Sequence, residues 1–187
     1  TLKHDIRTSH IPIILLTAKD SMESKEEGYD SGADSYITKP FVRSLIASRI
    51  HNLLEQRQRL TNTFSSESRI DSYIEDKKEL LLSSLNALDQ EFLEKINKLI
   101  EERMSNDKID IDYLADNLNI SESTLYRKMK ALTGLSSNEY IRKYKMKYAE
   151  HLLLEGKYTI SEIGYKVGMG TTAYFRKCFK EEFGDTP

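Results

Sequence analysis

Three kinds of hydrophobic pattern divide this 187-residue chain. The first is a continuous apolar run of strand length, Ile11-Pro12-Ile13-Ile14-Leu15-Leu16-Thr17. Isoleucine-rich runs of this kind suit a parallel strand buried on both faces. A polar segment of helical length then opens at Ser21 and Ser24-Lys25-Glu26-Glu27 and closes at Gly32. Ser35-Tyr36-Ile37-Thr38 reads as a second, short strand. It stops at Lys39-Pro40, because proline cannot donate to a sheet ladder. From Phe41 to about Leu60, the residues Leu45, Ile46, Ile50, Leu53 and Leu54 recur at helical spacing. Strand, helix, strand, helix is a βαβα piece of a parallel α/β sheet. Functional groups in such sheets gather at the C-terminal ends of strands, where Thr17 and Lys39 stand.

The second pattern is sparser. Gln56-Arg57-Gln58-Arg59 leads into a Ser/Thr-rich stretch, Thr61-Asn62-Thr63-Phe64-Ser65-Ser66-Glu67-Ser68, which reads as a polar break. Beyond it, Phe92, Leu93, Ile96, Leu99, Ile100 and Met104 mark one face of a helix from about Asp89 to Met104. That face can pack on the following domain, the blander role, or pair with a copy of itself.

The third pattern occurs twice. Ile111 to Leu118 is a short helix, Asn119-Ile120 a turn, and Ser121 an N-cap. The helix Glu122 to Leu132 points Leu125, Met129 and Leu132 inward and Ser123, Tyr126, Arg127 and Lys130 outward. Helix, tight turn, then a helix with a polar and basic outer face is a helix-turn-helix pattern. The second copy is Ile160 to Val167, the turn Gly168-Met169-Gly170, and the helix Thr171 to Phe183. That last helix buries Phe175, Cys178, Phe179 and Phe183 and exposes Thr172, Lys177 and Lys180. A long helix, about Asn138 to Glu155, joins the copies and spans roughly 27 Å. It carries Arg142, Lys143, Lys145 and Lys147, a cluster suited either to phosphate contact or to a solvated face.

Charge changes this picture little. The net charge is −2, so any basic surface is local. Residues 107–187 hold 13 Lys/Arg against 12 Asp/Glu, with the bases concentrated near the first outward helix and on the rod. One cysteine, Cys178, gives no intrachain disulfide framework and fits a reducing compartment. Four scattered histidines do not make a zinc site. The glycines Gly164, Gly168 and Gly170 have neither the spacing nor the preceding strand of a dinucleotide fingerprint. No apolar run approaches membrane-spanning length, and no signal-peptide pattern opens the chain. No nucleophile–base pair, metal cluster or phosphate loop supports an enzyme. A sequence-specific DNA binder and a dimerising assembly module with weak DNA binding remain.

Two resemblances narrow the choice. The stretches Pro12 to Lys19 and Gly32 to Phe41 resemble the C-terminal half of a response-regulator receiver domain. The resemblance implies that Lys39 contacts a phosphoryl group, that Thr17 bonds it through its hydroxyl, and that Tyr36 reports the switch. It also implies a cis Lys39–Pro40 peptide. The receiver's acidic cluster and acceptor aspartate are expected N-terminal to residue 1. This piece is therefore expected not to accept phosphate, and to need no cofactor where an intact receiver would use Mg. The series Leu125 to Lys130, Leu132-Thr133-Gly134, Tyr140-Ile141, Ala149, Leu152-Leu153, Ile160, Ile163, Gly168-Met169, Tyr174-Phe175 and Phe179-Lys180 resembles the AraC/XylS DNA-binding domain. That family sends two recognition helices into successive major grooves. The implied contacts are Ser123, Tyr126 and Arg127, with Lys130 beside them, and Thr172, Ala173, Tyr174 and Lys177. Arg127 is the best single base reader, because arginine bonds guanine bidentately; a phosphate contact is nearly as good a reading.

The expected architecture is mainly α. A truncated α/β receiver of two βα units occupies residues 1–56, a connector 57–106, and an all-α domain with two helix-turn-helix units 107–187. The expected partners are double-stranded DNA, a second copy in a homodimer, and upstream receiver and histidine kinase portions of a hybrid two-component protein. The expected location is the cytoplasm, with an inner-membrane anchor if the intact protein is a hybrid sensor. Two strands without their neighbours expose edges, so the half-receiver is expected to be disordered, aggregated or completed by another copy.

Overall fold

A computed structural model describes residues 2–18, 28, 30–66, 85–105 and 109–187. The polar helix expected over Ser21 to Glu27 lies outside these residues. After a short 3-10 turn at Leu2–His4 come two short strands, β1 (Ile14–Thr17) and β2 (Ser35–Thr38). Seven helices follow: α1 (Arg43–Ser66), α2 (Ala87–Glu102), α3 (Ile111–Asn117), α4 (Glu122–Thr133), α5 (Ser137–Glu155), α6 (Ile160–Lys166) and α7 (Thr172–Phe183). The described chain is thus mainly helical with a small sheet.

β1 and β2 pair in parallel, from Ile14 opposite Ser35 to Thr17 opposite Thr38. The strand is shorter than the apolar run that suggested it. Asp34 accounts for the difference: its carboxylate accepts from the Ile13 amide at 2.7 Å, which pins the chain just before the ladder begins. Burial on both faces is not achieved. Leu16 is 45% exposed, because two strands alone cannot cover both sides of a sheet. The strands nevertheless pair with each other, and buried polar bonds hold their unit against the helical part.

The Ser/Thr-rich stretch is not a break as far as Ser66, since α1 runs through it. Its polar side chains bond within the helix: Gln58 Nε2 donates to Asn62 Oδ1 at 2.9 Å and Thr61 Oγ1 to the Gln58 carbonyl at 3.0 Å. At exposed positions such local bonds replace core packing as support. α1 lies against α4.

Two separate cores hold the helical part. The first gathers Phe92, Ile96 and Ile100 of α2, Leu114 of α3, Leu125 and Met129 of α4 and Ile141 of α5. The amphipathic face of α2 is therefore spent on this core, the blander of its two expected roles. The second core gathers Met146 and Ala149 of α5, Ile163 and Val167 near α6, and Phe175, Phe179 and Phe183 of α7. The rod α5 contributes its first half to one core and its second half to the other.

Candidate nucleic-acid interface

Each outward helix is aimed by a tight turn with one left-handed residue. Asn119 has φ 54° in the first turn and Gly168 has φ 62° in the second. Asparagine and glycine tolerate this region best. In both turns the next amide reaches back to close the preceding helix, Ile120 to the Ala115 carbonyl at 3.0 Å and Met169 to the Gly164 carbonyl at 2.8 Å. Gly170, the other glycine of that turn, does not have a positive φ. Ser121 then caps α4 by accepting from the Thr124 amide at 3.3 Å, and Thr171 caps α7 by accepting from the Tyr174 amide at 3.2 Å. Gly164 faces Phe175 across the α6–α7 contact, where a Cβ would lie at an ordinary 3.5 Å from the Phe175 Cβ.

The inner faces are sealed. Leu125 and Phe175 are fully buried, and Met129 and Cys178 nearly so. The outer faces are open. Ser123, Tyr126, Arg127 and Lys130 are exposed on α4. On α7, Ala173, Tyr174 and Lys177 are exposed and Thr172 is half-buried. Arg127 folds back on its own helix, with Nε donating to the Ser123 carbonyl at 3.1 Å. Thr172 shares a hydrogen bond with Ser161 at 3.2 Å, and Lys177 stands 4.0 Å from Glu181. Tyr174 is 53% exposed, so it is not a core residue.

The rod that separates the two faces is firmly ended. Ser136 and Glu139 form a reciprocal capping box, and Gly156 closes the helix with φ 65°. Its 19 residues span about 28 Å. The basic cluster expected along it is split. Arg142 is exposed, but Lys143 pairs with Glu182 of α7 at 3.5 Å and Lys145 is buried. Arg142 and Lys145 lie three positions apart and Lys143 and Lys147 four apart, so the four bases fall on two helix faces and not on one, and sequence density overstated the patch. Arg142 and Tyr174 instead line one cleft of about 490 Å³ between the two units, together with Asn138, Lys145 and Met169.

At the other end of the chain, Thr17 and Lys39 meet at the C-terminal edge of the sheet. The Lys39 amide donates to the Thr17 carbonyl at 2.7 Å, the Lys39 side chain is exposed, and the Lys39–Pro40 peptide is cis. Tyr36 lies opposite Leu15, on the same face as Thr17, and packs over Gly28, where a Cβ would come within 2.8 Å of its Cδ2. Sequence reasoning missed Lys128. It is fully buried on α4, and its ammonium donates to Asp89 Oδ1 at 2.5 Å, Ser9 Oγ at 2.7 Å and the Ile6 carbonyl at 2.7 Å. The available signal was its position: three residues after Leu125 and four before Leu132, it falls inside the inward stripe.

A family model described as a helix-turn-helix domain matches residues 114–187. Those residues form an AraC/XylS-type helix-turn-helix domain. The AraC-type domain is a DNA-binding transcription-regulator domain and not an enzyme class. Along its whole length the chain is 41% identical to a protein named Histidine kinase P4 from Formosa agariphila, of which it spans 13%. It is 28% identical over 149 residues to the HTH-type transcriptional activator RhaS of Escherichia coli, with 78% of this chain and 51% of that protein covered. The C-terminal domain of AraT, a response regulator from Geobacillus stearothermophilus, shares 30% identity over 51% of this chain and 79% of that one, with a TM-score of 0.47. Among the described residues no helix is long and apolar enough to cross a membrane.

Proposed function

We propose that the chain is the DNA-reading output end of a phosphorelay regulator, with α4 and α7 entering successive major grooves of double-stranded DNA. One observation carries this reading: two capped helices expose polar and basic faces while their opposite faces are sealed into separate cores on a common rod. A rod of about 28 Å is near one helical turn of DNA, about 34 Å. The base-facing set is Ser123, Tyr126, Arg127 and Lys130 on α4, and Thr172, Ala173, Tyr174 and Lys177 on α7. The division into a receiver piece (1–56), a connector (57–106) and a DNA-binding domain (107–187) belongs to the same proposal, as does a homodimer of the intact regulator.

The identity to a protein named as a histidine kinase runs through both the α/β piece and the AraC-type domain, which supports control by an upstream kinase and receiver. In this reading Lys39 and Thr17 hold a phosphoryl group whose aspartate this piece does not carry. Acetyl phosphate with magnesium then leaves the purified chain unlabelled, and stoichiometric labelling would sink that part.

Binding-site selection from randomised DNA, followed by a salt series, tests the main reading. A selected sequence and a steep salt slope are expected. Absence of both would remove it. Arg127→Ala is expected to cost about 1–3 kcal/mol at one base position. A uniform loss across all sequences would instead make Arg127 a phosphate contact.

A further inference from the structure

The upstream α/β unit touches the two helix-turn-helix units unequally. Its principal contacts reach α4, and the N-terminal segment before β1 reaches α2 and α4, while α6 and α7 pack on α5 and on each other. At the centre of this contact is Lys128. Its ammonium is bonded to oxygens of two other segments, Asp89 of α2 and the Ile6 carbonyl and Ser9 hydroxyl of the N-terminal segment. Ser9 Oγ in turn donates to Asp89 Oδ1 at 2.7 Å. The Ser9 carbonyl accepts from Asn86, the N-cap of α2, at 3.1 Å and from Lys3 at 3.2 Å. Lys3 pairs with Asp34 at 2.7 Å, and Asp34 holds the Ile13 amide at the start of the sheet. A continuous polar path therefore runs from β1 and β2 to α4. Arg7 of the same segment reaches a cleft shared with Asn119, Ser121 and Thr124, beside the turn that aims α4.

A buried ion pair is a poor way to add stability, because removing both charges from water offsets most of their attraction. A leucine or methionine at position 128 would simply continue the stripe of Leu125, Met129 and Leu132. What lysine adds is reach and direction: it fastens α4 to two segments at defined points. Lys128 adjoins Arg127 on one rigid helix, so a shift of the fastened side moves the outward side with it. The second unit has an apolar and aromatic core, and its ion pair, Lys143 with Glu182, joins α7 to the rod α5 and not to the upstream segments.

We propose that the Lys128–Asp89–Ser9 cluster is the coupling point through which the upstream α/β unit positions the first recognition helix, and that the second recognition helix stands outside this control. Lys128 and Ser9 are positioning residues that act through Arg127 and its neighbours. The inference rests on the DNA-binding reading and extends it, because it says which half of the site the upstream unit governs.

A double-mutant cycle on the full chain tests it. Ser9→Ala removes two bonds of the cluster and lies outside both cores. It is expected to weaken binding to the selected duplex about fivefold. In an Arg127→Ala background that loss should shrink below about twofold, because the positioned contact is already gone, and in a Lys177→Ala background it should persist. Equal losses in both backgrounds, or none in the parent chain, would overturn the proposal. Should no duplex be selected, the DNA-binding reading fails, and amide hydrogen exchange of the free chain decides the coupling separately. Ser9→Ala should then speed exchange in α4 at least about threefold and leave α7 unchanged. Unaltered exchange in α4, or a matching rise in α7, would overturn it.

Discussion

The two helix-turn-helix units have the same plan and opposite interiors. Both use a seven-residue first helix, a left-handed turn residue, a hydroxyl N-cap and a twelve-residue outward helix. The second is closed by rings: Phe175 and Phe179 meet edge to face at 5.8 Å, and Phe179 and Phe183 lie 4.5 Å apart. The first encloses an ion pair, Lys128 with Asp89, and is covered by α2 and the N-terminal segment. An aromatic core asks for volume and forgives orientation. A buried ion pair asks for particular partners, and here those partners belong to segments outside the unit. One plan therefore serves a self-contained module and a module built to be held.

This contrast can be broken most severely through the second core. Phe175→Ala, at a fully buried site, should cost about 4 kcal/mol. Amide exchange should rise across α6 and α7 while α2 and α4 keep their protection; an equal rise in both units would show that the cores are not separate. In the first unit, Asp89→Ala leaves the Lys128 charge buried without its carboxylate and should cost about 3 kcal/mol in urea unfolding. Adding Lys128→Met should restore most of that loss, since both charges are then gone. A double variant as weak as the single one would mean that Lys128 is valued for shape alone.

A smaller effect depends on pH. Burial, with the Lys128 ammonium adding to it, pushes the His10 imidazole down from 6.5 to about 4. In that window the unfolded chain binds the proton and the folded chain resists it, so stability falls as pH drops from about 6.5 to about 4. The share due to His10 is about 1–3 kcal/mol, and His10→Gln should lack it. Parallel pH profiles of the two proteins would refute this. The smallest test treats the units alike. Ser121→Ala and Thr171→Ala should each cost about 1 kcal/mol, because each removes one cap bond.

Legibility in the sequence followed the physics of each element. The outward sets on α4 and α7 were readable, because helical spacing alone decides which side faces the apolar stripe. The start of α4 was readable too, because Ser121 caps neighbours within one turn; that Thr171 caps α7, where the sequence reading began the helix, came from the structure. The strand at Ile11 to Thr17 was overextended, because its true start depends on Asp34, a partner 21 residues away from Ile13. The rod's basic cluster was overread for a related reason. Lys143 and Lys145 look like surface charges until Glu182 and the inter-unit cleft turn them inward. Lys128 was invisible as a key residue, since its three partners lie between 39 and 122 positions away.

The sequence by itself determined the helices, their caps, the twofold repeat of helix, turn and helix, and the sides those helices turn outward. These depend on interactions among residues a few positions apart. It also determined the strand end where Thr17 and Lys39 meet. Tertiary structure alone decided that the α/β piece docks on the first unit and not on the second. That choice rests on Lys128, Asp89 and Ser9 arriving at one dry point from three separate segments, where each would be costly to bury without the other two.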